Sequence, residues 1–386
     1  MKKKTKVLVL DGGSRQILPI LKGLHELGCI ITTLNSSKLD NGYTSRYANK
    51  KIIVSRDEYY EVYNVVLREV KNQHYDIVIP VTDNSMNIMT LHKEEIEKYA
   101  ILPIPNRKVF ISAYNKQLTM ETCMDIGVPC PITKREAESV ESFIKKVGFP
   151  IVAKPRMACG SMGLKIVKNK EQLDSLIKEK EIVIDEYVLQ EFIPQTGKQY
   201  NIHLFMDKND ELSVSVVTEK TRWYPVDGGA SCLCRTINDS FIKEQCEKLL
   251  KQIHWRSYCE IEMIVDPRDK IAKVMEINGR ASASIKIMDL AGVNVAKMML
   301  DLAYCKNIEK ITNIKQDVRL RRISTDFLWF VQSRDRFTRK PSWFSMKRTH
   351  EAVFSLSDPM PFFATGFKLL ISVNQYRKEM KKRKRA

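Results

Sequence analysis

The chain has 386 residues, 44% of them hydrophobic and 28% charged, enough to bury a sizeable core and to divide into two or three compact units rather than stay disordered. No run of about 18 apolar residues occurs, and the opening Lys2-Lys3-Lys4 passes straight into a short strand, which argues against a membrane span or secretory leader and makes a cytoplasmic location the expectation. The formal net charge of +18 is unevenly placed, since residues 319–386 hold 17 Lys and Arg against 5 Asp and Glu.

Nine cysteines without a Cys-x-x-Cys pair, and six scattered histidines, support neither a zinc site nor a disulfide framework. Lys6 to Leu10, the turn Asp11-Gly12-Gly13-Ser14-Arg15 and an amphipathic run to Leu27 read as strand, turn and helix. Strands follow at Cys29 to Leu34, Lys51 to Val54 and Ile77 to Val81, with a helix from about Glu58 to Lys71. Such alternation predicts a doubly wound parallel sheet. Gly12-Gly13 lacks dinucleotide spacing, so Ser14, Arg15, Thr82 and Asp83 stand as candidate ligand contacts at the sheet's carboxyl ends.

From Pro103 the texture changes. A helix containing Asn115-Lys116 leads to the turn-rich Asp125 to Pro131, then to a helix near Glu136 to Val147. Ile151 to Pro155 is a strand carrying Lys154, and Leu164 to Val167 is another. The loop between them, with Gly160, Ser161, Met162 and Gly163, has the shape of a flap whose backbone N–H groups turn onto phosphate oxygens. It is not a Walker loop, because no Gly-Lys-Ser/Thr is present and no helix follows. An ordinary hairpin loop is the competing reading.

Further strands run from Val188 to Pro194, Asn201 to Met206 and Ser213 to Thr218, the last followed by Glu219-Lys220-Thr221-Arg222. Trp223-Tyr224-Pro225 and the Gly-rich Gly228 to Cys232 follow, with Arg235 downstream. A helix from about Ser240 to Ile253 precedes Cys259 to Val265, where Glu260 and Glu262 share a face. Joined through the turn Asp266 to Lys270 to Val274–Arg280, this strand forms a hairpin that brings Glu262, Glu276 and Asn278 together. Three hard oxygen donors of that kind suit Mg²⁺ beside nucleotide phosphates, with Arg280 at the rim to meet anionic oxygen.

Lys116, Ile151 to Pro155, Gly160 to Gly163, Gln190 to Ile193, Glu262, Glu276 and Asn278, in this order, resemble the ATP-grasp superfamily of carboxylate ligases. The carbamoyl-phosphate synthetase large-subunit and biotin-carboxylase branch is the most similar, over residues 5 to about 305. The resemblance implies an α/β and α+β chain. A pre-ATP-grasp domain (1–105) would precede an ATP-grasp domain (106–305, lid about 130–190) and a basic, aromatic C-terminal extension (306–386).

It also implies ATP and Mg²⁺ (or Mn²⁺) as cofactors and an ADP-forming ligase. Such an enzyme phosphorylates a carboxylate to an acyl phosphate and gives the acyl group to an amine. Lys116 and Lys154 would touch phosphates, the backbone of Gln190, Glu191, Phe192 and Ile193 would read adenine, and Gln199 stands where many relatives carry a ribose-binding glutamate. Lys220, Arg222, Arg235 and Arg280 would be the catalytic cations. A soluble dipeptide or D-amino-acid ligase and a non-catalytic ATP-binding scaffold remain alternatives. The basic tail with its eleven aromatics suggests peripheral contact with an anionic membrane and hence a cell-envelope or glycan acceptor, nucleic acid being the less favoured partner.

Overall fold

A computed structural model describes residues 3–55, 61–158, 160, 162–226 and 228–383, with the backbone alone over 372–383. Strands β1 (Lys6–Val9), β2 (Ile30–Asn35), β3 (Lys50–Ile53) and β4 (Ile77–Ile79) form a parallel sheet in the order β3-β2-β1-β4. Alternate residues of β1 face different cores. Val7 and Val9 meet Ile17, Ile20 and Leu24 of the helix Ile17–Glu26, whereas Leu8 meets Val62, Val66 and Val70 of the helix Val62–Gln73. Helices on both faces explain why the strand is apolar and buried from Val7 to Val9.

A small antiparallel sheet, β6 (Lys165–Val167), β5 (Ile151–Pro155) and β7 (Tyr187–Glu191), has its own core around Phe143, Leu173 and Leu189. The central sheet runs β12 (Ala272–Asn278), β11 (Ser257–Val265), β8 (Gln199–Met206), β9 (Leu212–Tyr224), β10 (Ala230–Ile237), β13 (Arg319–Arg321), β14 (Thr349–Glu351). The helices Lys116–Ile126 and Ser240–Gln252 cover one of its faces. Residues of the other face, Phe205, Val214 and Tyr258, share a core with the N-terminal sheet. In the same core Gly23 lets the helix Ile17–Glu26 lie close against the helix Val295–Ala303, for a Cβ there would lie 2.8 Å from the Ala296 Cβ.

Two expectations change. The helix expected to run through Asn115-Lys116 is broken there, because Asn115 is extended and its side chain accepts from the Gln117 N–H. Lys116 therefore opens a new helix. The segment from 306 onward, expected as an extension, supplies β13 and β14 to the central sheet. It then returns to the N-terminal domain, where Asp358 accepts from Ser45 Oγ at 2.6 Å and Lys368 reaches Asp40 at 2.9 Å.

That segment is fastened by a buried ion cluster. Asp326 takes Arg222 on both oxygens, at 2.6 and 2.9 Å, and Arg321 Nε lies 2.6 Å from Oδ2. Arg222 is 2% exposed and stacks over Trp329. Removing Asp326 strands two buried guanidiniums. Asp326→Ala is expected to lower the unfolding free energy by about 3–5 kcal/mol, measured by urea denaturation. A loss comparable to that of an exposed pair would place the cluster in water.

Candidate active site

The hairpin pairs as the sequence requires: Glu262 stands opposite Glu276 and Glu260 opposite Asn278. Two carboxylates directly opposed on one sheet face repel unless cations offset them, and three cations do so from different elements. Lys220 of β9 donates to Glu262 at 2.7 Å, and Lys116 Nζ lies 3.3 Å from Glu276. Arg280 donates to the Asn278 oxygen at 3.0 Å and, through Nε, to Asp83 of the N-terminal domain at 3.0 Å. Beneath them Gly279 clears Trp255, whose ring would lie 2.5 Å from a Cβ at that position.

These pairings set the charges. Burial by itself would raise the Glu262 carboxyl, but Lys220, Arg280 and the Asn278 amide outweigh it and hold it low. Burial likewise opposes charge on Lys220, yet Glu262 keeps its ammonium above the usual range. Burial also opposes Arg280, and Asp83 and Glu260 more than restore it. Lys154 is different. Its ammonium donates to the Met275 carbonyl at 3.1 Å, and burial, with Lys116 adding to it, draws it down to about 8 against the pull of Glu276 and Glu262.

The flap is tethered at its root, where Lys116 donates to the Ala158 carbonyl and the Lys116 N–H to Arg156 O. Gly160 and Gly163 have positive φ, and Met162 is exposed. Ser161 lies outside the described residues. On β7, the Gln190 side chain donates to Thr133 Oγ1 at 2.8 Å, and Glu191 is held by Arg268 and Lys273. Both side chains are thereby engaged, and so is part of the backbone: Gln190 and Glu191 pair with β5, the Glu191 N–H donates to the Ile132 carbonyl at 2.8 Å, and the Ile193 carbonyl accepts from Gln195 Nε2 at 3.1 Å. Gln199 is buried on the Lys220 side of the sheet, its amide donating to Gln195.

Two of the expected catalytic cations lie elsewhere. A bulge between β9 and β10 near Leu233 and Cys234 re-aims Arg222, and its guanidinium is engaged by Asp326 and the Pro341 carbonyl. Arg235 pairs with Glu219, and Glu219 is in register with Tyr200 and Lys220 with Gln199. Arg235 therefore projects from the face opposite Lys220 and Glu262. Cys232 and Cys234 are buried, which pushes the Cys232 thiol up and Cys234 to about 12. Neither thiol ionises near neutrality.

A buried polar chain behind the hairpin escaped the sequence reading. His203 Nδ1 is 2.8 Å from Tyr258 Oη, which donates to Ser282 Oγ at 3.1 Å. Ser284 donates to Glu260, and the Asn278 amide is shared between Glu260 and Glu262. Burial keeps the His203 imidazole below its usual range. Among the described residues the Nε2 of His203 and Oδ1 of Asn201, on the same face as Glu262, have no hydrogen-bond partner. Only the shared parity of Glu260 with Glu262 hinted at this layer.

The hairpin suits a hard divalent cation. Among the described residues no trio of His, Cys, Asp and Glu converges. Two carboxylates and an amide oxygen are the donors available, a set that fits an ion keeping water and phosphate oxygens as its other ligands.

The profile of the family described as "Carbamoyl-phosphate synthase L chain, ATP binding domain" matches residues 115–311. A D-aspartate ligase of Enterococcus faecium is 21% identical over 318 residues, 76% of this chain and 75% of that protein. A D-alanine–D-alanine ligase of Bacillus anthracis is 26% identical over 272 residues, 62% of this chain and 84% of its own. The biotin carboxylase domain of the Hydrogenobacter thermophilus 2-oxoglutarate carboxylase, solved with MgADP, ADP and bicarbonate, superposes with a TM-score of 0.70 at 17% identity. It covers 83% of this chain and 74% of that one, a likeness of fold.

Lys154 yields a test that needs no substrate. Below pH about 8 its ammonium is charged and above it neutral, so affinity for tripolyphosphate is expected to weaken by about tenfold per pH unit above that point. Isothermal titration from pH 6 to 10 reads this, and Lys154→Met removes the inflection.

Proposed function

Because the chain belongs to the family of the carbamoyl-phosphate synthase L chain ATP-binding domain, we propose that it is an ADP-forming, ATP-dependent carboxylate–amine ligase. The observation that carries the reading is the hairpin, where Glu262, Glu276 and Asn278 meet under Lys116, Lys154, Lys220 and Arg280. A scaffold that had given up the metal would have no need to hold two opposed carboxylates this way.

Mg²⁺ (or Mn²⁺) held by Glu262, Glu276 and Asn278 would neutralise phosphate oxygens during transfer. Lys116 and Lys154 flank the hairpin and present their ammonium groups to the same anion. Lys154, drawn down to about 8, regains its full charge when phosphate approaches. Arg280, fixed between Asp83 and Asn278, orients the acid substrate. Its carboxylate oxygen attacks the γ-phosphorus, the bond to the ADP oxygen breaks, and an acyl phosphate results. The amine then attacks the acyl carbon, phosphate leaves, and the nitrogen loses a proton. Position and charge do this work without a side-chain nucleophile.

The D-aspartate and D-alanine–D-alanine ligases among the relatives favour an amino-acid substrate. An acceptor on a cell-envelope or glycan precursor is the complementary reading. Phe337 and Phe344 are 70% and 66% exposed, Phe363 and Phe367 are also exposed, and Arg334, Arg336 and Lys347 lie nearby in sequence. Apolar side chains amid cations suit an anionic lipid surface. No helix among the described residues is long and apolar enough to cross a membrane.

Incubation with Mg-ATP, hydroxylamine and pools of amino acids, sugar acids and other carboxylates is expected to give acid-dependent ADP and hydroxamate, and Glu276→Gln to slow it roughly hundredfold. AMP formation would sink the acyl-phosphate step. For the lipid surface, flotation with phosphatidylglycerol vesicles should be salt-sensitive and lost in a Phe337→Ser, Phe344→Ser, Phe363→Ser, Phe367→Ser variant. Equal flotation with neutral vesicles would remove that contact.

A further inference from the structure

Three cations gather around one carboxylate beside the loop that follows Arg280. Arg15 leaves the turn after β1 and donates its Nε–H to the Ala283 carbonyl at 3.1 Å. Arg322 stands between β13 and the helix Ile323–Gln332. Lys286, at the start of the helix Lys286–Leu290, donates to the carbonyls of Glu351 and Phe354, each at 2.7 Å. Glu351 is the acid that acts on all three. It already accepts from the Val353 and Phe354 N–H groups.

Over Arg15, Arg322, Lys286 and Glu351 the balance is two positive charges in excess, and Asp289, which also acts on Lys286, is itself offset by Lys22 at 3.6 Å. Among the described residues neither Arg15 nor Arg322 forms an ion pair, and the Arg322 guanidinium makes no hydrogen bond. Burial first, and the neighbouring Arg322 second, bring Arg15 down to about 10, and burial also lowers Arg322 and Lys286. Two half-buried guanidiniums that share a single carboxylate with a lysine are costly unless a further anion joins them. Their position ties them to the reaction, because Ser282 and Ser284 flank Ala283 and connect through Tyr258 and Glu260 to the hairpin.

We propose that Arg15 and Arg322, supported by the charge of Lys286, form a subsite for a second oxyanion of the acid substrate, a carboxylate or a phosphoryl group. The acid turned over is then at least a dianion, held at one end by Arg280 and at the other by this pair. The assignment rests on the ligase reading for the word substrate. Planar guanidiniums suit bidentate oxyanion recognition. The two arginines come from opposite ends of the chain, so the subsite exists only once the C-terminal segment has closed onto the N-terminal domain.

The test uses the full chain, Arg15→Gln, Arg322→Gln and the double variant. Mg-ATP-dependent ADP release is compared for monocarboxylic, dicarboxylic and phosphorylated acids of matched length, and melting temperature is followed with succinate or inorganic phosphate as probe. The wild type should prefer dianionic acids. Each substitution should raise their KM by roughly tenfold or more with little change in kcat. Arginine-to-lysine variants should recover part of the loss, and Mg-ATP affinity should not move. The succinate and phosphate arms separate a carboxylate from a phosphoryl subsite.

Equal turnover of monoanionic acids by the wild type, or an unchanged KM in the double variant, overturns the subsite and leaves the ligase standing. Failure of both probes to stabilise the wild type overturns it regardless of turnover. Stabilisation that needs both arginines, with no acid giving ADP, keeps the oxyanion site and removes the ligase reading.

Discussion

Two carboxylates, Glu262 and Glu276, face each other across adjacent strands, and the rest of the structure is arranged to make that tolerable. Opposed like charges in a partly buried sheet need cations at hydrogen-bonding distance. Here each comes from a different element: Lys220 from β9, Lys116 from the start of the helix Lys116–Ile126, Arg280 from just beyond β12. Arg280 also reaches Asp83, so the N-terminal sheet is fixed to the hairpin by the same guanidinium. Charge balance at the site and domain arrangement are one constraint.

The C-terminal segment obeys a similar rule with the signs reversed. Asp326 is a buried anion enclosed by Arg222 and Arg321, and it locks the helix Ile323–Gln332 onto β9. Cations that would look catalytic in a list of residues are therefore divided between two centres. One is dry and complete, the Asp326 cluster. The other, around Arg280, joins the hairpin to Asp83 of the N-terminal domain.

Much of the site was legible because strand geometry is local. Side chains alternate with period two, so Glu262 and the pair Glu276, Asn278 could be placed on one face from spacing alone, and the turn Asp266 to Lys270 brought the strands together. The parallel N-terminal sheet was equally readable, since each β-α-β unit announces itself in a short stretch. The break at Asn115 was not read, because an asparagine within a polar run serves a cap or a helix interior alike until its neighbours are placed.

Sequence alone thus determined which residue types stand on the hairpin, the alternation that makes the sheets, and the order of the motifs. Tertiary structure decided which cation meets which anion. Arg222 and Lys220 are two residues apart on one strand, yet the break in register between them and the arrival of Asp326, over a hundred residues later in the chain, send one to a structural pair and leave the other at Glu262. Arg15 and Arg322 meet for the same reason. Ion pairing depends on distance in space, and only the closed fold sets that distance for residues remote in sequence.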